Sequence, residues 1–163
     1  EMRHLPNALD DVDHLGTDWL VETVLDYEEA GHRWRAARLI DGGRDEWLFV
    51  GLDRGPAFNL RWVKLDPAIE LTGYPPDILE RVVDGERVHY RLVRRGSATA
   101  TARGDTSQTL AGSLLPQSSA RCRWWLFEAP GPRCLIVEEW GGAYRVLAGE
   151  KIDPAGVEFL PGS

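Results

Sequence analysis

The sequence predicts an all-β fold in which two related antiparallel β-meander halves form a sandwich or a barrel-like single domain. About ten short segments are rich in β-branched and aromatic residues and are bounded by Gly, Pro and Asp, which is the pattern of β-strands. Most of the loops between them are shorter than the dozen or so residues that a parallel crossover needs. Helix-start residues occur in one stretch, so we expect at most one short helix.

Composition and charge narrow the class of protein. The 163 residues are 43% hydrophobic and 28% charged, which is typical of one soluble globular domain over residues 1–163. The formal net charge is −7 and there is no basic run, which disfavours binding to nucleic acid or anionic lipid by charge. No apolar run approaches the ~20 residues that span a bilayer, and the polar N-terminal stretch is not signal-like. We therefore expect a cytoplasmic protein without membrane insertion.

Residues 1–16 carry an acidic cluster without apolar periodicity. Asp10, Asp11, Asp13 and His14 are typical of a loose N-terminal lead or one short helical turn. A cation is conceivable there in principle, but the ordered Gly and terminal Glu of a calcium loop are missing. A solvated charge run is the favoured interpretation, and no metal site is expected.

The first half of the domain, about residues 17–65, is predicted to be a four-stranded meander. Strands are expected at about residues 19–27, 33–40, 46–52 and 58–65. The loops at residues 28–32, 41–44 and 53–56 contain Gly, which supplies the positive φ that hairpin turns require.

Residues 66–86 are interpreted as the connector between the two halves. Asp66-Pro67, Tyr74-Pro75-Pro76 and Asp84-Gly85 interrupt the strand pattern. Residues 76–83 predict one short helix, because Pro stands early and Asp lies in the first turn.

The second half, about residues 87–160, resumes the strand pattern. Strands are expected at about residues 88–95, 97–103, 120–128, 133–140, 143–148 and 156–160. The polar loop at residues 104–119 has the length of loops that are functional or mobile. Trp34 followed by Trp47 in the first half parallels Trp124 followed by Trp140 in the second, so an internal duplication is a hypothesis, although the spacings differ.

Cys122 and Cys134 are too few for a disulfide framework or a four-ligand zinc site. They flank a hairpin turn at residues 129–132 that places Glu128 opposite Arg133 or Cys134. In that register Cys122 lies near Glu139 rather than near Cys134. Two buried free thiols are therefore favoured over a disulfide.

The order of motifs resembles a bacterial family of unknown function, the one numbered 4178 among such domains. Its first block is similar to residues 34–39, residues 46–50 and Trp62. The second block is similar to a series of Gly, Cys and Trp motifs: Gly96-x-Ala98, Gly104-Asp105-Thr106, Cys122-x-Trp124-Trp125, Cys134-Leu135-Ile136-Val137-Glu138-x-Trp140-Gly141 and Gly149-x-Lys151-Ile152. The resemblance covers about residues 16–160.

The resemblance implies little chemistry. Members of this family have no assigned enzymatic activity, so no residue inherits a catalytic role. Their genes tend to lie beside those of small membrane proteins, polyamine-synthase-like proteins and phage-shock-type envelope-stress proteins. The resemblance thus implies an accessory role in a membrane-associated stress system.

The sequence lacks the usual catalytic motifs. There is no phosphate-binding loop, dinucleotide fingerprint, nucleophile elbow or His-Glu-x-x-His motif. The histidines are scattered without paired spacing, which disfavours a metal site: His4, His14, His32 and His89. We expect no cofactor and no enzymatic activity.

Glu138 and Glu139 are adjacent in a predicted strand, so their side chains point to opposite faces. One of them faces inward if that face is a core, and a buried carboxylate is costly unless it is paired. It is either a ligand-fixing or acid/base carboxylate in a barrel mouth, or, as favoured, an Arg-paired structural carboxylate or a strand-end group in solvent.

Trp124 and Trp125 also point to opposite faces of one strand. Either protein covers both faces, which is favoured, or one indole is exposed as part of a binding surface. The candidate partner or ligand residues are the large aromatic groups and one carboxylate: Trp47, Trp62, Trp124, Trp125, Glu138 and Trp140.

We therefore expect a non-enzymatic domain that binds a protein partner. The alternative is a small-molecule or lipid-binding β-barrel with aromatic side chains around a cavity. A filled interior with an exposed aromatic strip favours the first function, and an unfilled interior favours the second. The sequence leaves the oligomeric state open.

Overall fold

A computed structural model describes residues 9–14, 17–54, 59–104 and 119–161. The fold is all-β, as predicted, with 74% of the described residues in strands and 2% in helix. Eleven strands and one 3-10 turn (Pro154–Gly156) occur in the described residues. The strands are β1 (Leu9–His14), β2 (Thr17–Glu29), β3 (His32–Asp41), β4 (Arg44–Val50), β5 (Leu60–Leu65), β6 (Ile78–Val83), β7 (Glu86–Gly104), β8 (Ser119–Glu128), β9 (Arg133–Trp140), β10 (Ala143–Ile152) and β11 (Val157–Pro161).

The strands form one antiparallel sheet that partly closes into a ring. The order is β11-β1-β2-β3-β4-β5-β10-β9-β8-β7-β6, and β2 also pairs with β7. That extra pairing closes β2 to β5 and β7 to β10 into an eight-stranded ring. The strands outside it form two arms: β1 with β11 beside the start of β2, and β6 beside the start of β7.

The two halves repeat one pairing scheme. In the first half, each strand from β1 to β5 pairs with the next, and in the second half each strand from β6 to β10 does the same. The last strands of the halves, β5 and β10, pair with each other, as do β2 and β7. This arrangement confirms the prediction of two antiparallel meander halves.

A β-bulge in β2 turns the strand from the outside of the ring to the inside. The pairing with β3 shifts between Val21 and Thr23. Before the shift, Trp19 packs on the outer surface, and after it Leu25 and Tyr27 lie in the interior. One extra residue exchanges the two faces of a strand, because side chains alternate with a period of two.

A second bulge does the same in β7. Its pairing with β8 shifts between Leu92 and Arg94. Tyr90 packs on the outer surface before the shift, and Ala98 and Ala100 lie in the interior after it. The first part of each of these long strands, β2 and β7, therefore pairs with an arm, and the later part belongs to the ring.

Three apolar clusters result. The interior of the ring contains four of the seven tryptophans, and two outer clusters lie beneath the arms. The first outer cluster is Val12, Trp19, Ala37, Leu39, Leu48, Val50, Leu60, Trp62 and Val157. The second is Leu79, Val88, Tyr90, Trp125, Phe127, Leu135, Val137, Val146 and Ala148. Both faces of the ring strands are thus covered, which explains continuous apolar runs such as residues 47–50.

The prediction of a loose lead or helical turn before residue 17 is wrong for Leu9–His14, which forms β1. This strand pairs with both β2 and β11. Val12 is fully buried in the first outer cluster. Pairing on both sides and this apolar contact outweigh the polar local composition. Residues 1–8 lie outside the described part of the chain.

The predicted helix in the connector is also wrong, because Ile78–Val83 forms β6. Asp84 and Gly85 have φ values of 51° and 82° and make the two-residue turn into β7. An Asp-Gly pair between alternating apolar residues is a strong hairpin signal. That signal, rather than the preceding Pro76 and Asp77, determines the local structure.

The two strands predicted at residues 88–95 and 97–103 are one continuous strand, β7. Gly96 does not interrupt it, since the missing side chain leaves room for Glu29: a Cβ there would lie 2.5 Å from the carboxylate oxygens. The hairpins at residues 28–32 and 41–44 are confirmed. The loop at residues 105–118 and residues 55–58 lie outside the described residues.

No helix in the described residues has the length and apolar character needed to cross a bilayer.

Replacing Gly149 by Ala is expected to destabilise the ring where β5, β9 and β10 meet. An added Cβ would overlap the Trp62 carbonyl oxygen and lie 2.8 Å from the Val63 Cα, both backbone atoms that cannot turn aside. We expect the free energy of unfolding to fall by about 1–3 kcal/mol in urea denaturation. The control is Gly43→Ala, where a Cβ meets nothing within 4 Å. Equal stabilities of the two variants would contradict this packing.

Candidate functional site

The six residues selected from the sequence are all buried, with at most 9% of their surface exposed. Trp47, Trp124 and Trp140 lie in the interior of the ring, and Glu138 is buried beside them. Trp62 and Trp125 lie in the first and second outer clusters instead. The structure therefore brings four of the six together. The favoured interpretation of Trp124 and Trp125, burial on both faces, is confirmed.

A buried hydrogen-bond network crosses the interior from one half to the other. Tyr27 of β2 donates through its hydroxyl to Glu138 Oε2 of β9, at 2.6 Å. Glu138 Oε1 accepts from Trp140 Nε1 at 3.0 Å and from Arg145 Nε at 2.7 Å. Both carboxylate oxygens are thus occupied by groups of the protein itself, which leaves this carboxylate little capacity for a ligand.

Arg145 neutralises the Glu138 carboxylate. Its guanidinium lies 4.6 Å above the Trp47 ring, in a cation–π contact. Its Nη2 is 2.6 Å from Glu138 Oε1, although no acceptor among the described residues meets this atom with hydrogen-bond geometry. Burial works to lower the pKa of Arg145, but Glu138 outweighs it and the pKa is raised. The pair is a salt bridge held in place by an aromatic ring.

The nucleophilic groups of the interior are held protonated. Burial, with the nearby Glu138 charge, raises the pKa of Tyr27 and of Cys122 well above their ordinary values. Burial likewise raises the pKa of Cys134 to about 11. A reactive cysteine needs a lowered pKa, so these free thiols have the character of buried apolar side chains. Both cysteines are buried and free, and Glu128 lies opposite Cys134, as predicted.

Glu139 points to the opposite face and has a separate set of partners. Its carboxylate accepts from Arg123 Nε at 2.7 Å and from the Gly142 amide at 2.6 Å. The hydrogen bond from Arg123 lowers the pKa of Glu139. Of the two favoured alternatives for the inward carboxylate, pairing with an arginine is the one found for Glu138, and Glu139 is paired with an arginine as well.

Three indoles donate to carboxylates that the sequence did not identify as their partners. Trp62 donates to Glu46 at 2.6 Å, and Trp124 donates to Glu29 at 2.7 Å. The third is the Trp140 bond to Glu138. The Trp62 and Trp124 pairs join positions that are far apart in the chain and meet only through strand pairing. These indole N–H groups are satisfied internally.

A second charged cluster lies at one end of the ring. The sequence did not indicate this cluster either. The fully buried Arg61 contacts Asp53 at 2.9 Å and Glu128 at 3.3 Å. Arg94 pairs with Asp53, and Lys151 lies 2.8 Å from Glu128. The partners come from separate strands and one loop, so no local motif marks them.

The edge of the second arm carries exposed apolar side chains. Within the part of the chain that the structure describes, β6 is the last strand of the sheet. Ile78 is 45% exposed and Val82 is 65% exposed, and Glu80 lies between them on the same exposed face. The Asp84-Gly85 hairpin signal was available in the sequence and would have located this strand.

A cavity of about 380 Å³ lies outside the ring, between residues 65–72 and residues 144–146. Leu65, Ile69 and Leu71 provide apolar lining, and Asp66 and Glu70 provide carboxylates. Among the described residues, no group of three or more His, Cys, Asp or Glu side chains is placed to hold a metal ion.

Replacing Glu138 by Gln is expected to lower the free energy of unfolding by about 3–5 kcal/mol, because it leaves Arg145 as an uncompensated buried charge. Glu139→Gln is the matched control, with the same chemical change at the next residue. Its loss is expected to be smaller, since its partner Arg123 is partly exposed. Equal losses in denaturant titrations would show that Glu138 is not in a buried pair.

Asp66 is expected to make stability depend on pH at the acid end. Burial works to raise the pKa of Asp66, but the hydrogen bonds from Arg81 and the Ala68 amide outweigh it and lower the pKa. The stabilisation is present above the unfolded value of about 3.9 and is lost as the pH falls through the folded value. The stability difference between wild type and Asp66→Asn should therefore be constant above about pH 5 and shrink below about pH 4. A difference that stays constant down to about pH 2 would contradict this.

The comparisons with known proteins agree with the motif resemblance. A family model described as a domain of unknown function (DUF4178) matches residues 10–154. No curated protein and no solved structure matches the chain. The matched segment contains the whole ring, so the chain belongs to the DUF4178 family of domains of unknown function.

Proposed function

We propose that this domain is a non-enzymatic module that binds another protein through the exposed edge of β6. The observation that carries the proposal is the pair Ile78 and Val82, two large apolar side chains exposed on the last strand of the sheet. Sheet edges are usually protected by charged residues, Pro or a covering segment, because an open edge invites another chain to pair. An apolar open edge is therefore a candidate docking surface.

The interior of the ring leaves a ligand little space and few polar groups to bond. Tyr27 stacks on Trp34 at 5.2 Å, and Trp34 meets Trp124 edge-on at 5.6 Å, so aromatic rings from both halves fill the space between the strands. The polar groups among them bond to each other. This packing supports a structural role for the aromatic residues and leaves the outer surface as the place for function.

The family context suggests where to search for partners. The resemblance implies an accessory role beside envelope-stress proteins, and we propose membrane-associated proteins of such a system as the first candidates. A cytoplasmic location is part of this proposal.

A second candidate function is binding of a small molecule, and the outer cavity favours it. Its volume of about 380 Å³ lies at the lower end of the roughly 300–1,000 Å³ range of ligand sites. The lining combines Leu65, Ile69 and Leu71 with the Tyr144 ring, which suits a small, largely apolar molecule. The ligand would then lie outside the ring rather than within it.

The test compares native mass spectra of the protein gently purified from its own host. Wild type is expected to carry the mass of a protein partner, and the double variant Ile78→Lys/Val82→Lys should lose it. Leu20→Lys is the control, because Leu20 is 59% exposed but lies on β2, outside the second arm. An added mass of a few hundred daltons that both variants retain would favour the small-molecule function. A partner mass retained by the double variant, or a bare wild-type protein, would contradict the proposal.

A further inference from the structure

We infer that the partner binds by adding an extended strand to β6, with a basic residue opposite Glu80 and apolar residues opposite Ile78 and Val82. This inference rests on the proposed function and specifies how the partner is recognised. Strand addition uses backbone hydrogen bonds for affinity and alternate side chains for specificity.

The backbone of β6 is arranged for such an addition. The Leu92 amide donates to the Asp77 carbonyl at 2.8 Å, so residues 77 and 92 form a hydrogen-bonded pair. The two-residue turn places residues 83 and 86 in another such pair. Hydrogen-bonded pairs alternate along an antiparallel ladder, so the odd-numbered residues of β6 bond to β7.

The even-numbered residues of β6 consequently direct their backbone groups away from the sheet. Ile78, Glu80 and Val82 each present one N–H and one C=O to the open side. Among the described residues, no strand pairs with β6 on that side. Three donors and three acceptors are thus available at the spacing of a strand.

Side chains at the edge define which strand fits. Ile78, Glu80 and Val82 are exposed, whereas Leu79 is buried against the second outer cluster and Arg81 is tied to Asp66 at 2.5 Å. A partner strand therefore meets an apolar residue, a carboxylate and an apolar residue on the exposed face. Directly opposite residues interact most strongly across antiparallel strands.

The charge of Glu80 distinguishes between partners. β7 supplies His89 at 3.0 Å and Arg87 at 3.5 Å on one side of the carboxylate, which remains 45% exposed. A Lys or Arg on the added strand would pair with the Glu80 carboxylate from the other side. A net charge of −7 on the whole chain also favours a basic segment.

A second copy of this chain fits the same edge poorly. The antiparallel register that sets Ile78 against Val82 of a second β6 also sets Glu80 against its own copy. Like charges directly opposite each other are destabilising. The structure therefore favours a different protein, with the pattern apolar, any residue, basic, any residue, apolar.

The test titrates the full-length protein with two synthetic peptides and follows binding by NMR. One peptide carries Ile-Thr-Lys-Thr-Val at its centre, and the other carries Ile-Thr-Glu-Thr-Val. Wild type should bind the Lys peptide at least about threefold more tightly. Glu80→Lys should reverse the preference, and Glu80→Gln should reduce it, which protects the test if the charge reversal disturbs folding. An unchanged preference in these variants, or none in wild type, would overturn the assignment of Glu80.

Amide hydrogen exchange tests the geometry in the same samples. In the free protein the amides of residues 78, 80 and 82 should exchange quickly, and those of residues 79 and 81 slowly. The Lys peptide should slow the first set by at least about tenfold and leave the second unchanged. Protection of the first set in the free protein would mean that another segment or a second copy covers the edge, which overturns the inference. If the native partner is lost from Ile78→Lys/Val82→Lys but the peptides give no protection, strand addition is wrong and the proposed function stands.

Discussion

The closure of the sheet between β2 and β7 is the constraint on which the rest of the structure depends. Each of these strands pairs first with an arm and then with the other half of the ring. A β-bulge is required where the strand turns its side chains from the outer clusters to the interior. In β2, Trp19 and Tyr27 are both odd-numbered residues and yet lie on opposite faces of the sheet. Without the bulges, Leu25 and Tyr27 of β2 would face the outer clusters, and the interior would lose the side chains that this strand contributes to it.

The closed ring determines the environment of the charged groups in its interior. Glu138 and Arg145 are buried in this interior and bonded to each other. Tyr27 and Trp47, which belong to the other half, contact this pair. A pair of this kind is weak support for stability. Because Glu138 and Arg145 are direct partners across β9 and β10, a shift of that one register would leave a charge unmatched. The two halves are joined in the interior by the Tyr27–Glu138 hydrogen bond, the Arg145–Trp47 contact and the Trp124–Glu29 hydrogen bond. The function that we propose lies instead at the β6 edge, where Ile78 and Val82 remain exposed.

Local sequence patterns predicted most strands of the ring but missed β1 and β6, which belong to the arms. Gly-containing turns such as residues 41–44 located the hairpins, and the adjacent residues Glu138 and Glu139 identified an inward carboxylate. β1 was missed because a polar strand is recognisable only through its neighbours, β2 and β11. β6 was missed because Pro76 and Asp77 imitate a helix start, so the candidate docking surface was missed with it. The partners of Trp62 and Trp124 depend on strand register, which no single segment contains.

We interpret the aromatic residues as a closed structural interior rather than a binding cavity. The most direct measurement is the hydrogen exchange of the Trp124 and Trp140 indole N–H groups, observed by NMR in the free protein. Because both donate to buried or half-buried carboxylates, we expect both to exchange far more slowly than indoles in the unfolded chain. Exchange of both at the unfolded rate would mean that water enters the ring freely, and the interior would then have to be reconsidered as a ligand site.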